Sequence, residues 1–252
     1  MRWTAVALSA LLVLMPLPLA AQSGKGAPAG SPGEREKVLA AFTKLVGQAE
    51  NRARFGLPKD AFWRRSGDLA IALFGENVET LRRQLERVSE PFSEVTGLEI
   101  TVVETGAEVA PDQDATRLAL GADLVIVVGS RLDLAEIATT GEFDKGMLAR
   151  FELGTWPFMF AFEEDHLRRG VILLADDEPA EAREASLVLA TVWAFGGVTL
   201  GPELAGLVEN TGSGPELTPL GEAAFGLFFH PDLEVGMPLA DAVRRAETLL
   251  PQ

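Results

Sequence analysis

Imidazole and thiol groups, which bind zinc in many catalytic sites, are scarce in this sequence. It contains two histidines, His166 and His230, and no cysteine. His166 ends the acidic run EEDH, where it follows Glu163 and Asp165, and a second run, DDEPAE, begins at Asp176. Carboxylate oxygens of the two runs could hold a divalent cation if the runs met across a pair of strands. Because no calcium-loop spacing is present, solvated turns and the start of a helix are the favoured interpretation.

The turn His230-Pro231-Asp232 is a second candidate site. A histidine beside an aspartate can polarise a bound water or a ligand. Such turns more often use proline for shape, while Asp and His satisfy nearby backbone groups. The structural role is favoured, and His230, Asp232 and His166 stay as candidate contacts for a ligand or partner.

Two further motifs each have a structural and a chemical interpretation. Ser130 follows a buried run but lacks the Gly-x-Ser-x-Gly context of a nucleophile, and Asp133 three residues later predicts a helix cap. Trp63 stands beside Arg64 and Arg65. This group is equally consistent with a cation–π patch for a partner and with an aromatic plug before the first strand.

Hydrophobic periodicity indicates the elements that must position these residues. Unbroken apolar runs predict buried strands, and apolar residues at steps of three and four predict amphipathic helices. The expected strands are Leu69–Phe74, Leu98–Glu104, Asp123–Val128, Phe158–Asp165 and Gly170–Glu178. The expected helices are Glu34–Arg54, Val78–Val95, Leu132–Ala138, Pro179–Phe195, one from Thr218-Pro219, and Pro238–Leu250. The helix from Glu34 is expected across the outside of the domain, and Glu209–Glu216 is expected to be a loop.

The order of these elements predicts the fold class. Strands alternate with helices in the first half, and helices dominate the end of the chain. We expect one α/β (α+β) domain with a central mixed sheet of about five strands, packed by helices, and a helical C-terminal subdomain.

Charge and the N-terminal sequence limit the classes of function. The 252 residues carry a formal net charge of −15, which suits neither nucleic acid nor an anionic membrane surface. Residues 1–21 combine a basic start, an apolar stretch and small residues, which is typical of a secretory signal peptide. The composition of residues 22–36 predicts a flexible linker, and residues 37–252 are expected to form the domain. A cysteine-free exported chain fits the bacterial periplasm, with no cofactor and no stable membrane insertion after signal cleavage.

The C-terminal sequence LTPLGEAAFGLFFHPDLEVGMPLADAVRRAETLL (Leu217–Leu250) resembles the signature of a bacterial domain of unknown function, number 2927. The matching features are a Leu-Thr start, His230-Pro231-Asp232, Gly236-Met237 and an Ala-rich helix. Phe62–Gly75 and Ala122–Leu134 also resemble that family's first strand and its third strand with the following helix. Because members of the family look zincin-like, the resemblance implies a zincin-like fold whose C-terminal subdomain lines the cleft.

The same resemblance gives a meaning to the apolar run SLVLATVWAFGG (Ser186–Gly197). Zincins carry His-Glu-x-x-His on the corresponding helix, where the histidines bind zinc and the glutamate activates water. Aligned on Phe195-Gly196, Leu189 and Ala190 replace His-Glu, and Trp193 replaces the second histidine. The resemblance therefore implies a divergent member without zinc, in which Trp193 fills the space and is a candidate contact for a ligand.

Three hypotheses for function follow. The preferred one is a catalytically inactive, exported zincin-like protein that binds an envelope protein or a peptide along the former substrate cleft. The second is a divergent, peptidase-like metal-dependent hydrolase that uses Glu163, Asp165, His166 or Asp176 with a divalent ion. The third is a periplasmic carrier of a small molecule or lipid, with its pocket around Trp193 and Phe195.

Overall fold

The computed structural model describes residues 32–47, 52, 57–141, 158–163, 166–198, 204, 206–211 and 214–251. Its helices are α1 (Pro32–Val46), α2 (Val78–Thr96), α3 (Arg131–Thr140), α4 (Ala180–Ala194), α5 (Pro219–Phe228) and α6 (Leu239–Leu249). Its strands are β1 (Leu69–Phe74), β2 (Ile100–Gly106), β3 (Leu124–Gly129), β4 (Phe158–Glu163), β5 (His166–Ala175), β6 (Val208–Thr211) and β7 (Gly214–Leu217). In these ranges no helix is long and apolar enough to cross a membrane. The predicted signal peptide lies outside the described residues.

Strands β1 to β5 form one sheet in the order β2-β1-β3-β5-β4. β1 lies parallel to β2 and β3, β5 lies parallel to β3, and β4 is antiparallel to β5 at the edge. The chain passes from β1 to β2 through α2, the kind of crossover that parallel strands require. The mixed sheet of five strands in an α/β fold is confirmed.

Alternate residues of the central strands enter two hydrophobic clusters, because successive side chains of a strand point to opposite faces. Ile71 and Leu124 belong to the larger cluster, whereas Ala72 and Val125 belong to the smaller one. Residues of α1, α2, α4, α5 and α6 complete the larger cluster, and α3 packs on the other face. Burial on both faces explains why β1 and β3 are unbroken apolar runs.

Helix α1 lies across the outside of the domain as expected, with Glu34, Glu36 and Lys44 exposed and its inner face packed on the core. Phe42 and Leu45 on this helix are fully buried in the larger cluster. The helix begins at Pro32, so the end of the predicted linker (22–36) is helical. Proline is compatible with the first turn of a helix, whose N–H groups lack intrahelical partners. α1 ends at Val46, earlier than the predicted helix, before Gly47 at φ +75°.

The chain ends in α5 and α6, as predicted. Thr218 caps α5 by accepting a hydrogen bond from Gly221 N–H at 3.0 Å. Before α5, β6 and β7 pair as antiparallel strands where a loop was predicted. The two strands, VENT and GPEL, have four residues each and contain Asn, Gly and Pro, which are depleted in strands.

Candidate functional site

Helix α4 carries the three residues that the family resemblance places at zinc-ligand positions. Leu189, Ala190 and Trp193 are 7%, 1% and 4% exposed and belong to the larger hydrophobic cluster. From Ser186 to its end the helix is buried on all sides, as expected of a helix without a polar face. Aliphatic side chains and an indole supply none of the thiolate, imidazole or carboxylate groups that bind zinc. A zinc ion does not fit at these positions.

Three polar side chains of α4 bond within the helix or to α2. Ser186 Oγ and Thr191 Oγ1 each donate to the carbonyl four residues earlier, at 2.8 and 2.9 Å. Glu184 is buried and forms an ion pair with Arg87 on α2. The ion pair connects α4 to α2.

Close packing explains the glycine pair that follows α4. Gly196 has φ +96°, and a β-carbon there would lie 2.2 Å from Cε3 of Trp63. The carbonyl of Phe195 accepts a hydrogen bond from Arg65 N–H at 3.0 Å. Trp63 is buried, so the structure agrees with the plug interpretation of this residue.

Aromatic contacts join the end of α4 to the turn at His230. The rings of Phe195 and Phe229 meet edge to face, with their centroids 5.5 Å apart. The guanidinium of Arg64 lies 5.6 Å from the Phe229 centroid and donates to the carbonyl of His230 at 3.4 Å. Burial lowers the pKa of Arg64 below its usual value. The C-terminal helices therefore meet the end of α4, and aromatic rings fill the contact.

The turn at His230 uses its polar side chains to stabilise the chain. His230 Nδ1 accepts a hydrogen bond from Asp232 N–H at 3.2 Å. The carboxylate of Asp232 forms an ion pair with Arg245 of α6 at 2.8 Å. The imidazole is half-buried and the carboxylate exposed. Both groups fix the connection between α5 and α6, which is the structural role favoured from the sequence.

The two acidic runs lie at opposite ends of one strand. β5 begins at His166 and ends at Ala175, directly before Asp176. A strand rises about 3.3 Å per residue, so the backbones of His166 and Asp176 lie roughly 30 Å apart. Ligands of one cation lie within about 5 Å of each other. The idea that both runs hold one ion is therefore wrong. Glu163 pairs with His166 across the β4–β5 hairpin, and Asp165 lies outside the described residues.

The turns after β3 and β5 are stabilised by the hydrogen bonds expected of helix starts. Ser130 Oγ accepts a hydrogen bond from Asp133 N–H at 3.2 Å and so caps α3, as predicted. A hydrogen bond from Arg131 holds the pKa of Asp177 below its usual range, and the two side chains are 3.0 Å apart. Over the described part of the chain, no group of three or more His, Cys, Asp or Glu could hold a metal ion.

Three arginines bind loops in a way that the sequence does not predict. Arg52 is fully buried. Its guanidinium donates to three backbone carbonyls, those of Val46, Pro58 and Ala61, at 2.9, 2.8 and 2.5 Å. Burial lowers the pKa of Arg52 to about 10, so the group stays charged at neutral pH. Arg65 pairs with Asp123 at 2.8 Å, and Arg169 donates to carbonyls of the loop before β3.

A groove at the edge of the sheet was not expected from the sequence. A pocket of about 230 Å³ lies between α2 and β2. Its lining residues are Arg82, Leu85, Glu86 and Ser89 of α2 and Ile100, Thr101 and Val102 of β2. β2 is an outer strand, and its Val103 is 53% exposed. The alternation of Ile100, Thr101 and Val102 is typical of a half-exposed strand and is the signal that could have indicated this surface.

Comparison of the chain with protein-family models, curated proteins and solved structures finds no match.

Proposed function

We propose that this chain is an exported, non-catalytic protein of zincin-like fold that acts in the periplasm by binding an envelope protein or a peptide. One observation carries the proposal. The helix at which the resemblance expects zinc ligands is an apolar part of the core, with Leu189, Ala190 and Trp193 buried. These side chains supply neither a zinc ligand nor an acid or base. With no such group at these three positions, the proposed function depends on the surface of the domain.

The order of the elements supports the zincin-like part of the proposal. Strand–helix–strand, further strands and a buried helix come before a helical C-terminal part, as the resemblance expects. The end of α4 meets that C-terminal part through Phe195 and Phe229. Export is supported by the sequence of residues 1–21 and by the absence of cysteine.

The two other hypotheses are less well supported. A hydrolase would need its carboxylates and imidazole together, whereas His166 and Asp176 lie at opposite ends of β5. A carrier would need an open pocket around Trp193 and Phe195, whereas both rings are buried in the larger cluster.

Zinc binding is the decisive test. The full chain is expressed in a bacterial host, purified from the periplasmic fraction, incubated with zinc and passed through gel filtration. Elemental analysis is expected to find far less than one zinc per chain, and the intact mass is expected to fit a product that begins at Gln22. Stoichiometric zinc that survives gel filtration would overturn the non-catalytic assignment. A product recovered only from the cytoplasm would overturn the assignment to the periplasm.

A hydrolysis screen with peptide and ester substrates complements the metal measurement. Wild type, His166→Ala and His230→Ala are purified identically and assayed with and without a chelator. The proposal expects equal background rates in all three proteins. A rate that falls more than tenfold in either variant contradicts it.

A further inference from the structure

The outer strand β2 has main-chain groups that no second strand engages among the described residues. The sheet order leaves β2 at one edge, where it pairs with β1 alone. Its sequence is ITVVETG, and its residues are half-buried or exposed throughout. Natural proteins often shield such an edge with lysine or proline. β2 contains neither residue.

Val103 is the extra residue of a bulge in this edge strand. Ile71 lies opposite Val102, and the next residue, Ala72, lies opposite Glu104. Val103 is thereby left without a partner on β1, and it is 53% exposed. Bulges at sheet edges often re-aim a side chain, and here the result is an apolar side chain at an open edge.

The groove beside β2 has the size of a side-chain pocket. Its volume of about 230 Å³ is below the roughly 300 Å³ at which sites for small molecules begin. Leu85, Ile100 and Val102 are the apolar part of its lining, and the polar part comes from α2 and from Thr101 of β2. These dimensions suit one apolar side chain of a peptide that lies along the strand.

The charges around this edge are negative. Glu99 and Glu104 are exposed on or beside β2, and Glu86 lies at the groove. The cation at the groove, Arg82, is bonded at 2.6 Å to each of two carboxylates, those of Glu79 and Glu86. A second copy of the chain would bring a second Glu104 toward the first and would add its own charge of −15, whereas a cationic partner meets complementary charge.

We infer that the edge of β2, with the groove between β2 and α2, binds an extended segment of a partner protein that carries lysine or arginine side chains. The inference rests on the proposed binding function and names its surface and the chemistry of its partner. The segment adds as a strand to β2, places an apolar side chain in the groove, and sets its cations beside Glu99 and Glu104. Main-chain hydrogen bonds supply affinity, while the groove and the carboxylates supply selectivity.

Three fluorescent seven-residue peptides are the probes. The first alternates lysine with valine and leucine, the second has glutamate in place of lysine, and the third has proline in place of the central leucine of the first. Fluorescence anisotropy on the full chain is expected to give a Kd for the lysine peptide at least tenfold below that of the glutamate peptide. The proline peptide is expected to bind at least fivefold more weakly than the lysine peptide, because proline lacks an N–H donor. Hydrogen exchange of bound protein is expected to slow at residues 100–106.

Charge-reversal variants locate the site. Glu104→Lys is expected to raise the Kd of the lysine peptide at least tenfold. Glu136→Lys makes the same change in net charge at an exposed position on α3, and is expected to leave the Kd within twofold. If Glu104→Lys lowers the thermal midpoint, Val103→Lys at the exposed bulge replaces it in the same comparison.

Several outcomes overturn the inference. Equal binding of the lysine and glutamate peptides would show that the partner need not be cationic. Equal effects of Glu104→Lys and Glu136→Lys on the Kd would show that binding depends on total charge and not on the β2 edge. Slowed hydrogen exchange on β4 instead of β2 would show that the peptide binds at the other edge of the sheet. A dimer in analytical ultracentrifugation that Val103→Lys dissociates makes a second copy the occupant. None of these results bears on zinc content, so the proposed function can stand when the inference fails, and stoichiometric zinc refutes that function whatever the peptides do.

Discussion

The ring of Trp63 lies so close to the backbone of Gly196 that no β-carbon fits between them. A β-carbon built on Gly196 would lie 2.2 Å from Cε3 and 2.3 Å from Cζ3 of the indole. Gly196 also has φ +96°, a conformation that L-residues rarely adopt. The contact holds the segment before β1 against the end of α4, so the position of α4 depends on a ring from a distant part of the sequence.

Gly196→Ala is expected to lower the free energy of unfolding by about 3 kcal/mol. The left-handed backbone accounts for about 1–2 kcal/mol, and overpacking against the indole adds a similar amount. Urea unfolding followed by tryptophan fluorescence measures the change.

Gly226→Ala is the control for that substitution. Gly226 lies inside α5, and a β-carbon there would meet nothing within 4 Å. The same chemical change is expected to stabilise the protein slightly, by about 0.5 kcal/mol, because alanine is the better helix former. Equal unfolding midpoints for the two variants would show that Trp63 does not pack on Gly196.

Leu189→Ala tests whether the position of the missing zinc ligand is part of the core. Leu189 is 7% exposed and Leu132 is 80% exposed, so identical substitutions at the two sites separate burial from chemistry. Leu189→Ala is expected to cost about 3 kcal/mol, from lost burial and a residual cavity. Leu132→Ala is expected to change stability by less than about 0.5 kcal/mol. A small effect at Leu189 would mean that α4 faces an open cleft in solution.

The sheet and most helices could be predicted because their signals are local. The unbroken apolar run Leu69–Phe74 predicts a strand that is buried on both faces. The helix caps at Ser130 and Thr218 can be predicted from the residues that follow them in the sequence. The β6–β7 hairpin could not be predicted, because its strands have only four residues each and contain Asn, Gly and Pro. Its pairing becomes visible only when the two strands are placed side by side.

The candidate site shows the same division. The burial of Trp193 follows from a helix that is apolar on every side, which the sequence displays. The separation of His166 from Asp176 could not be predicted, because it depends on one uninterrupted strand that begins at His166 and ends directly before Asp176. The bonds from Arg64 to the carbonyls of His230 and Leu233 could not be foreseen either. Every residue has a backbone carbonyl, so the sequence does not indicate which of them an arginine will bind.

Arg52→Lys tests whether buried arginine stabilises the loops of this cysteine-free chain. Lysine has one ammonium in place of the planar fork, so it cannot reach all three carbonyls that Arg52 engages. The loss of stability is expected to be about 2 kcal/mol, the cost of leaving buried carbonyls without donors. Arg83→Lys is the control, since the Arg83 side chain is 68% exposed, and is expected to change stability by less than about 0.5 kcal/mol. A similar loss in both variants would contradict the assigned role of Arg52.

Asp114 is expected to make the stability of the domain depend on pH in acid. Hydrogen bonds from the hydroxyl and N–H of Thr116, at 2.5 and 2.9 Å, hold the pKa of Asp114 below its ordinary value of 3.8. The folded state thus binds a proton less readily than the unfolded state, so the stabilisation is complete above pH 3.8 and disappears as the pH falls through the depressed pKa. Asp114 caps the short 3₁₀ helix Ala115–Arg117. Asp114→Ala is therefore expected to cost about 1 kcal/mol near neutral pH, as the loss of a helix cap does, and progressively less below about pH 4. Urea unfolding across this pH range measures the difference, and Thr116→Val should reproduce most of its pH dependence. A difference between wild type and Asp114→Ala that stays constant down to about pH 2 would show that the carboxylate is not held in its charged form by Thr116.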